Sequence, residues 1–139
     1  MVDNNCAYCV EGELVDKFGI KICELETSKV YLFKEQSHPG RCIVAHKKHV
    51  GDMNELTAEE RAAYFEDVAR VARAIMAAFN PDKVNYGAYG DTGHHLHFHL
   101  CPKYKDEFEW GGVFLMNPDK KYLSDEEYAD MIANIKANL

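Results

Sequence analysis

The stretch His94-His95-Leu96-His97-Phe98-His99-Leu100 alternates histidines with large apolar side chains, a period of two that belongs to an extended strand. On such a strand His95, His97 and His99 share one face, and His94, Leu96, Phe98 and Leu100 share the other. Next-but-one residues on a strand stand about 7 Å apart, so three imidazoles could surround one phosphate group while each ring keeps a separate task. Near neutral pH an imidazole can attack phosphorus, protonate a leaving group or hydrogen-bond a phosphoryl oxygen. The duller reading is a structural strand with solvent-facing histidines, or an adventitious metal-binding tract.

The rest of the chain alternates between strand and helix periods. Phe18 to Phe33 reads as a hairpin around the polar break Glu26-Thr27-Ser28-Lys29, and Arg41 to His46 reads as a largely buried strand that delivers Lys47-Lys48-His49 to its end. Thr57 with Glu60 forms a capping box for a long helix. Its core stripe is Phe65, Val68, Ala72, Ile75 and Phe79, and it ends at Asn80-Pro81. Lys83 to Tyr89 and His94 to Cys101 should pair antiparallel about the turn Gly90-Asp91-Thr92-Gly93. Ser124 with Glu127 opens a terminal helix whose apolar face is Tyr128, Met131, Ile132, Ile135 and Leu139. Strands and helices segregate without strict alternation, which predicts an α+β fold, and 139 residues suit one domain spanning 1–139.

A formal charge of -7 sets the chain against a nucleic-acid polymer as partner but leaves room for a small anion in a local site. No apolar run approaches the roughly 20 residues of a membrane span, and Met1 to Asn5 lacks the pattern of a secretion leader, so a cytoplasmic protein is expected. Five cysteines, an odd number in a chain able to build its own core, argue for reduced thiols. Among them Cys6-x-x-Cys9 has the spacing that lets two thiolates turn onto one metal ion; the plainer alternative is two ordinary core thiols.

The run His95-Leu96-His97-Phe98-His99-Leu100-Cys101 resembles the H-φ-H-φ-H-φ-φ signature of the histidine triad family, φ being apolar. The order of elements is also similar, from Cys6-x-x-Cys9 through Lys47-Lys48-His49 and the long helix to the histidine strand, about residues 6 to 104. The resemblance implies the histidine triad fold: an antiparallel sheet of about five strands, one long helix and a C-terminal helix. It also implies hydrolysis of a purine nucleotide or nucleotide conjugate at the α-phosphorus. His97 would be the nucleophile that carries a covalent nucleotidyl group, and His99 would contact the phosphate. Gly90 and Thr92 would lie near phosphate and leaving group, with His95 also at the substrate side. Glu35 falls near the position that binds ribose hydroxyls. Trp110 could stack on the base or sit at a subunit contact. The segment Tyr86 to Thr92 is shorter than the corresponding loop of the Hint branch, so ribose and leaving-group recognition would differ.

Bacterial members of that family imply a structural zinc held here by Cys6, Cys9, His49 and His95, with His46 as a competitor ligand because Ala45-His46 replaces an apolar-Pro pair. They also imply a two-fold homodimer. Three functions stay open: a phosphoramidate hydrolase, a dinucleoside polyphosphate hydrolase, and a nucleotide-binding module without turnover. His94 is expected to pack on the apolar face, and His38 to be a turn residue beside Pro39-Gly40.

Overall fold

The computed structural model describes residues 3–139. Five antiparallel strands form one sheet in the order β1-β2-β3-β5-β4. They are β1 (Gly19–Glu24), β2 (Ser28–Phe33), β3 (Cys42–His46), β4 (Lys83–Gly87) and β5 (His97–Lys103). The first hairpin turns at 25–27, so Glu26 and Thr27 of the expected break form the turn while Ser28 and Lys29 already belong to β2. Asp67, buried on the long helix, accepts from Thr27 N, Thr27 Oγ1 and Ser28 Oγ at that turn. Two short helical turns, α1 (Ala7–Val10) and α2 (Glu13–Asp16), precede the sheet.

The long helix α3 (Ala58–Phe79) begins at the expected capping box, with Thr57 accepting from Glu60 N and Glu60 accepting from Thr57 N. It ends at Asn80, which takes the left-handed conformation at φ 50° ahead of Pro81. Its buried face is centred on Tyr64, Val68, Val71 and Ile75. Phe65 therefore sits at the rim, 38 % exposed and edge-on to Phe98, instead of inside the stripe. Helix α4 (Asp125–Ala137) starts at its own capping box on Ser124 and buries Tyr128 and Ile135.

The sheet has two unlike faces. Ile22, Val30, Leu32, Val44, Phe98 and Leu100 join the buried residues of α3 and α4 in the main core. On the opposite face Tyr31, Phe33, Ile43 and Ala45 meet Tyr8 and Val15 of the N-terminal turns in a smaller core. The register Ile43↔His99, Val44↔Phe98 and Ala45↔His97 puts His97 and His99 on this second face, away from the long helix. The helix layer is thereby left to apolar packing, and the second face is free to carry polar chemistry.

The histidine strand is shorter at its start than expected. Strand β4 ends at Gly87 and β5 begins at His97, so residues 88–96 form a loop instead of a tight four-residue turn. The physical cause is that β3 ends at His46 and the chain beyond it bends away. Leu96 still follows it, accepting from His46 N and donating to Val50 O, but His95 lies in a bend. His94 is exposed instead of packed on the apolar face, and its ring lies over Gly51, where an added Cβ would come within 2.2 Å of it.

Candidate active site

His97 and His99 face each other along β5 with ring centroids 5.4 Å apart. The Tyr8 ring packs against His97 at 5.0 Å and against His95 at 5.3 Å, tilted to both, and covers one side of the pair. Each ring is held in one orientation by a different partner. The Nδ1–H of His97 donates to the main-chain carbonyl of His95 at 2.7 Å, leaving the lone pair on Nε2. Burial pulls His97 below the ordinary imidazole range, against the carbonyl bond that favours the charged form, so the ring is neutral and nucleophilic at neutral pH.

His99 is oriented the other way round. Its Nδ1 accepts from Arg41 Nη2 at 3.0 Å, so its proton resides on Nε2. Burial, then the Arg41 guanidinium and His97, push its pKa down to about 2. Neither Nε2 has a hydrogen-bond partner among the described residues, and neither is sealed from solvent. One lone pair and one N–H donor therefore open side by side, a pairing suited to attacking an electrophilic centre while binding an oxygen attached to it.

His95 uses both of its ring nitrogens elsewhere. Nε2–H donates to the His46 carbonyl at 2.6 Å, and Nδ1 lies 3.3 Å from Cys6 Sγ, 3.7 Å from Cys9 Sγ and 3.1 Å from His49 Nδ1. Cys9 Sγ is in turn 3.3 Å from His49 Nδ1, and all four ligand atoms lie within 4.8 Å of one another. A tetrahedral zinc with Zn–S near 2.3 Å and Zn–N near 2.0–2.1 Å has ligand-to-ligand edges of about 3.3–3.8 Å. The four side chains fit that ion. The bond from His95 Nε2 to a carbonyl is the outer-shell contact that presents a neutral Nδ1 to a metal. His46 stands outside the cluster: its Nδ1 accepts from Lys48 N, and its Nε2 is buried without a partner against Tyr64.

A cavity of about 910 Å³ opens over the two free imidazole nitrogens. The chain that surrounds it matches the profile of the HIT domain over residues 19–106. The chain belongs to the histidine triad family. Among curated relatives it is 29% identical over 122 residues to "Protein hit" of Bacillus subtilis, covering 83% of this chain and 82% of that one. It is 27% identical over 116 residues to adenosine 5'-monophosphoramidase hnt1 of Schizosaccharomyces pombe, covering 77% and 80%. A histidine triad protein from Sinorhizobium meliloti shares the fold with a TM-score of 0.84 at 24% identity over 92% of this chain and 95% of that one. A Zn-bound histidine triad family protein from Mycobacterium smegmatis does so with a TM-score of 0.68 at 22% identity, covering 95% and 94%.

In this triad protein the other residues singled out from sequence divide in two. Gly90, at φ 107°, and the exposed Thr92 belong to the 88–96 loop and line the cavity. Glu35 and Trp110 do not line it. The Glu35 carboxylate is buried and accepts from Ser37 N, Ser37 Oγ, Lys120 N and Lys121 N, so it staples the segment before α4 to the end of β2. Trp110 is 39 % exposed in the turn that follows β5. His38 is in its turn but buried, bonded to Glu109 at 2.6 Å and tilted against Phe108 with ring centroids 5.2 Å apart. Sequence reasoning missed Tyr8 and Phe114, both cavity residues, and Arg41 behind the triad. Arg41 did carry a signal: a lone cation at the head of an otherwise apolar run bound for burial.

Proposed function

We propose that this protein hydrolyses a nucleotide conjugate at its α-phosphorus through a nucleotidyl group held on His97. The observation that carries the reading is the unpartnered Nε2 of a neutral His97, open to the cavity while Nδ1 is tied to the His95 carbonyl. In the first step Nε2 bonds to phosphorus, the bond from phosphorus to the leaving group breaks, and the leaving group takes a proton from water in the open cavity. In the second, water attacks phosphorus, the bond to Nε2 breaks, the proton lost by that water returns to solvent, and the nucleoside monophosphate is released. The Nε2–H of His99 donates to a phosphoryl oxygen in both steps. Gly90 and Thr92 border the leaving group.

The substrate is a purine nucleoside phosphoramidate rather than a dinucleoside polyphosphate. Among the described residues no lysine or arginine lines the cavity, and the carboxylates that do are Asp3 and Asp91, an environment that repels a run of phosphates and accepts an amine. Tyr8, Phe18, Phe33 and Phe114 supply apolar and aromatic wall for a base. The named activity of the fission yeast relative agrees with this choice.

Zinc is the resident metal, held by Cys6, Cys9, His49 and His95, with a structural role because four protein ligands close the site. A zinc-bound relative of the same fold supports the assignment. The setting is the cytoplasm, in keeping with five cysteines that form no disulfide, two of them buried; no helix among the described residues is long and apolar enough to cross a membrane. The working form is a two-fold homodimer. The open edge of β4, with Tyr86 half exposed, would join the partner sheet, and sedimentation at micromolar concentration would report one chain per particle if this is wrong.

Turnover of adenosine 5'-phosphoramidate and diadenosine tetraphosphate, compared side by side with mass spectrometry of quenched protein, tests the reading. It expects faster loss of the phosphoramidate and an adenylyl mass on His97. Tight AMP binding with no adduct, and an unchanged rate in His97→Ala, would leave a binding module.

A further inference from the structure

Arg41 is the largest of the fully buried side chains, with no exposed surface, yet none of the ion pairs among the described residues includes it. Glu35 and Glu109 lie near enough to favour its charge but do not touch it, and a cation so removed from water without a direct ion pair is costly to folding, so its retention calls for a use. Its guanidinium is spent on neutral acceptors. Nη2 donates to His99 Nδ1 at 3.0 Å and to Met116 O at 2.9 Å, and Nη1 donates to Leu115 O at 3.0 Å. The group is clamped between aromatic rings, 4.2 Å over Phe33 and 4.9 Å over Phe114, while Nε is left without a partner. Phe114, Leu115 and Met116 belong to the tail segment that walls the cavity.

We propose that Arg41 is a positioning residue for the phosphoryl site, fixing His99 as an Nε2–H donor turned to the cavity and tying that ring to the tail wall. A guanidinium is permanently protonated and only donates, so it can face a ring nitrogen only where that nitrogen carries a lone pair. A carboxylate at the same place would select the opposite tautomer and invite a second proton onto the ring. Arg41 forbids both, and it also sets a positive charge, offset only at a distance by Glu35 and Glu109, behind a cavity whose lining has no lysine or arginine among the described residues. The charge favours the phosphoryl group without salt-bridging it, which spares product release. The tail follows from the same bonds, because the residues that shape the cavity wall are registered to the ring that contacts the substrate.

The role in turnover rests on the hydrolase reading above; the role in setting the ring does not. Long-range proton–nitrogen spectra of the histidine rings in the full-length wild-type protein should show His99 as a single Nε2–H tautomer. Arg41→Met should mix the tautomers, and Arg41→Lys, whose ammonium can also donate, should keep the wild-type pattern. With adenosine 5'-phosphoramidate, Arg41→Met should lower kcat about 100-fold with KM within about threefold, and Arg41→Lys should recover at least about tenfold of the loss. A purely structural Arg41 would lower thermal stability in both variants while leaving the His99 tautomer and the kcat of folded protein unchanged, and that result overturns the proposal. A wild-type His99 protonated on Nδ1 overturns it even if Arg41→Met does not fold. A wild type inactive on every nucleotide, with the tautomer responding as stated, removes the hydrolase reading and upholds the setting of the ring.

Discussion

The Nδ1 of His97 lies 2.7 Å from the main-chain oxygen of His95, and the ring of His95 lies in the metal cluster. One residue thus orients the nucleophile through its backbone and anchors the turn at Cys6 and Cys9 through its side chain. Because the orienting acceptor is a peptide group, substitution at position 95 cannot delete it. Replacement can only displace it.

Replacing the nucleophile itself isolates the chemistry. His97→Ala should lose roughly 10⁴-fold in turnover and all covalent adduct while keeping AMP affinity within a few-fold. Rapid-quench mass spectrometry with calorimetric AMP titration measures both, and an adduct persisting in the variant would refute the assignment.

Metal removal should act on stability and catalysis together. Cys6→Ser or Cys9→Ser should reduce zinc below one per chain and destabilise the fold by about 3 kcal/mol or more. Turnover should fall with it, since the loop that offers the His95 carbonyl is held by the cluster. Metal analysis, denaturant unfolding and turnover of the same samples decide this; full activity in zinc-free protein would contradict it.

The buried imidazoles set the acid limit of stability. His99 titrates at about 2 when folded and near 6.5 when unfolded, so as pH falls below about 6.5 the unfolded chain takes up a proton that the folded protein refuses. Its contribution is complete above that point and is lost on acidification toward pH 2, at up to about 1.4 kcal/mol per unit. Urea unfolding at pH 7.5, 6 and 5 should show the decline, and His99→Asn should flatten it relative to wild type. Equal slopes in the two proteins would rule out this origin.

Gly40 prepares the place of Arg41. It sits at φ 94°, a conformation that other residues adopt with strain, and an added Cβ would meet the Phe79 ring at 2.6 Å. Gly40→Ala should cost about 2 kcal/mol in denaturant unfolding and should perturb the Arg41–His99 bond next door. A neutral effect on stability would mean that Phe79 yields freely.

Helix starts at Thr57 and Ser124, a hairpin turn at Glu26 and Thr27 and the opposite faces of Phe98 and His97 were all legible from the chain alone, because each depends on neighbours within a few positions; that Ser28 and Lys29 join β2 was not. The set Cys6, Cys9, His49 and His95 was legible only through family resemblance, since no short-range rule joins residues so far apart. What each ring nitrogen does was decided by the tertiary structure. His95 meets Cys6 across 89 positions, His99 meets Arg41 across 58, and Arg41 meets Met116 across 75. Local periodicity says which face a histidine takes, whereas its tautomer, charge and free lone pair follow from the donor or acceptor that the folded chain brings to it.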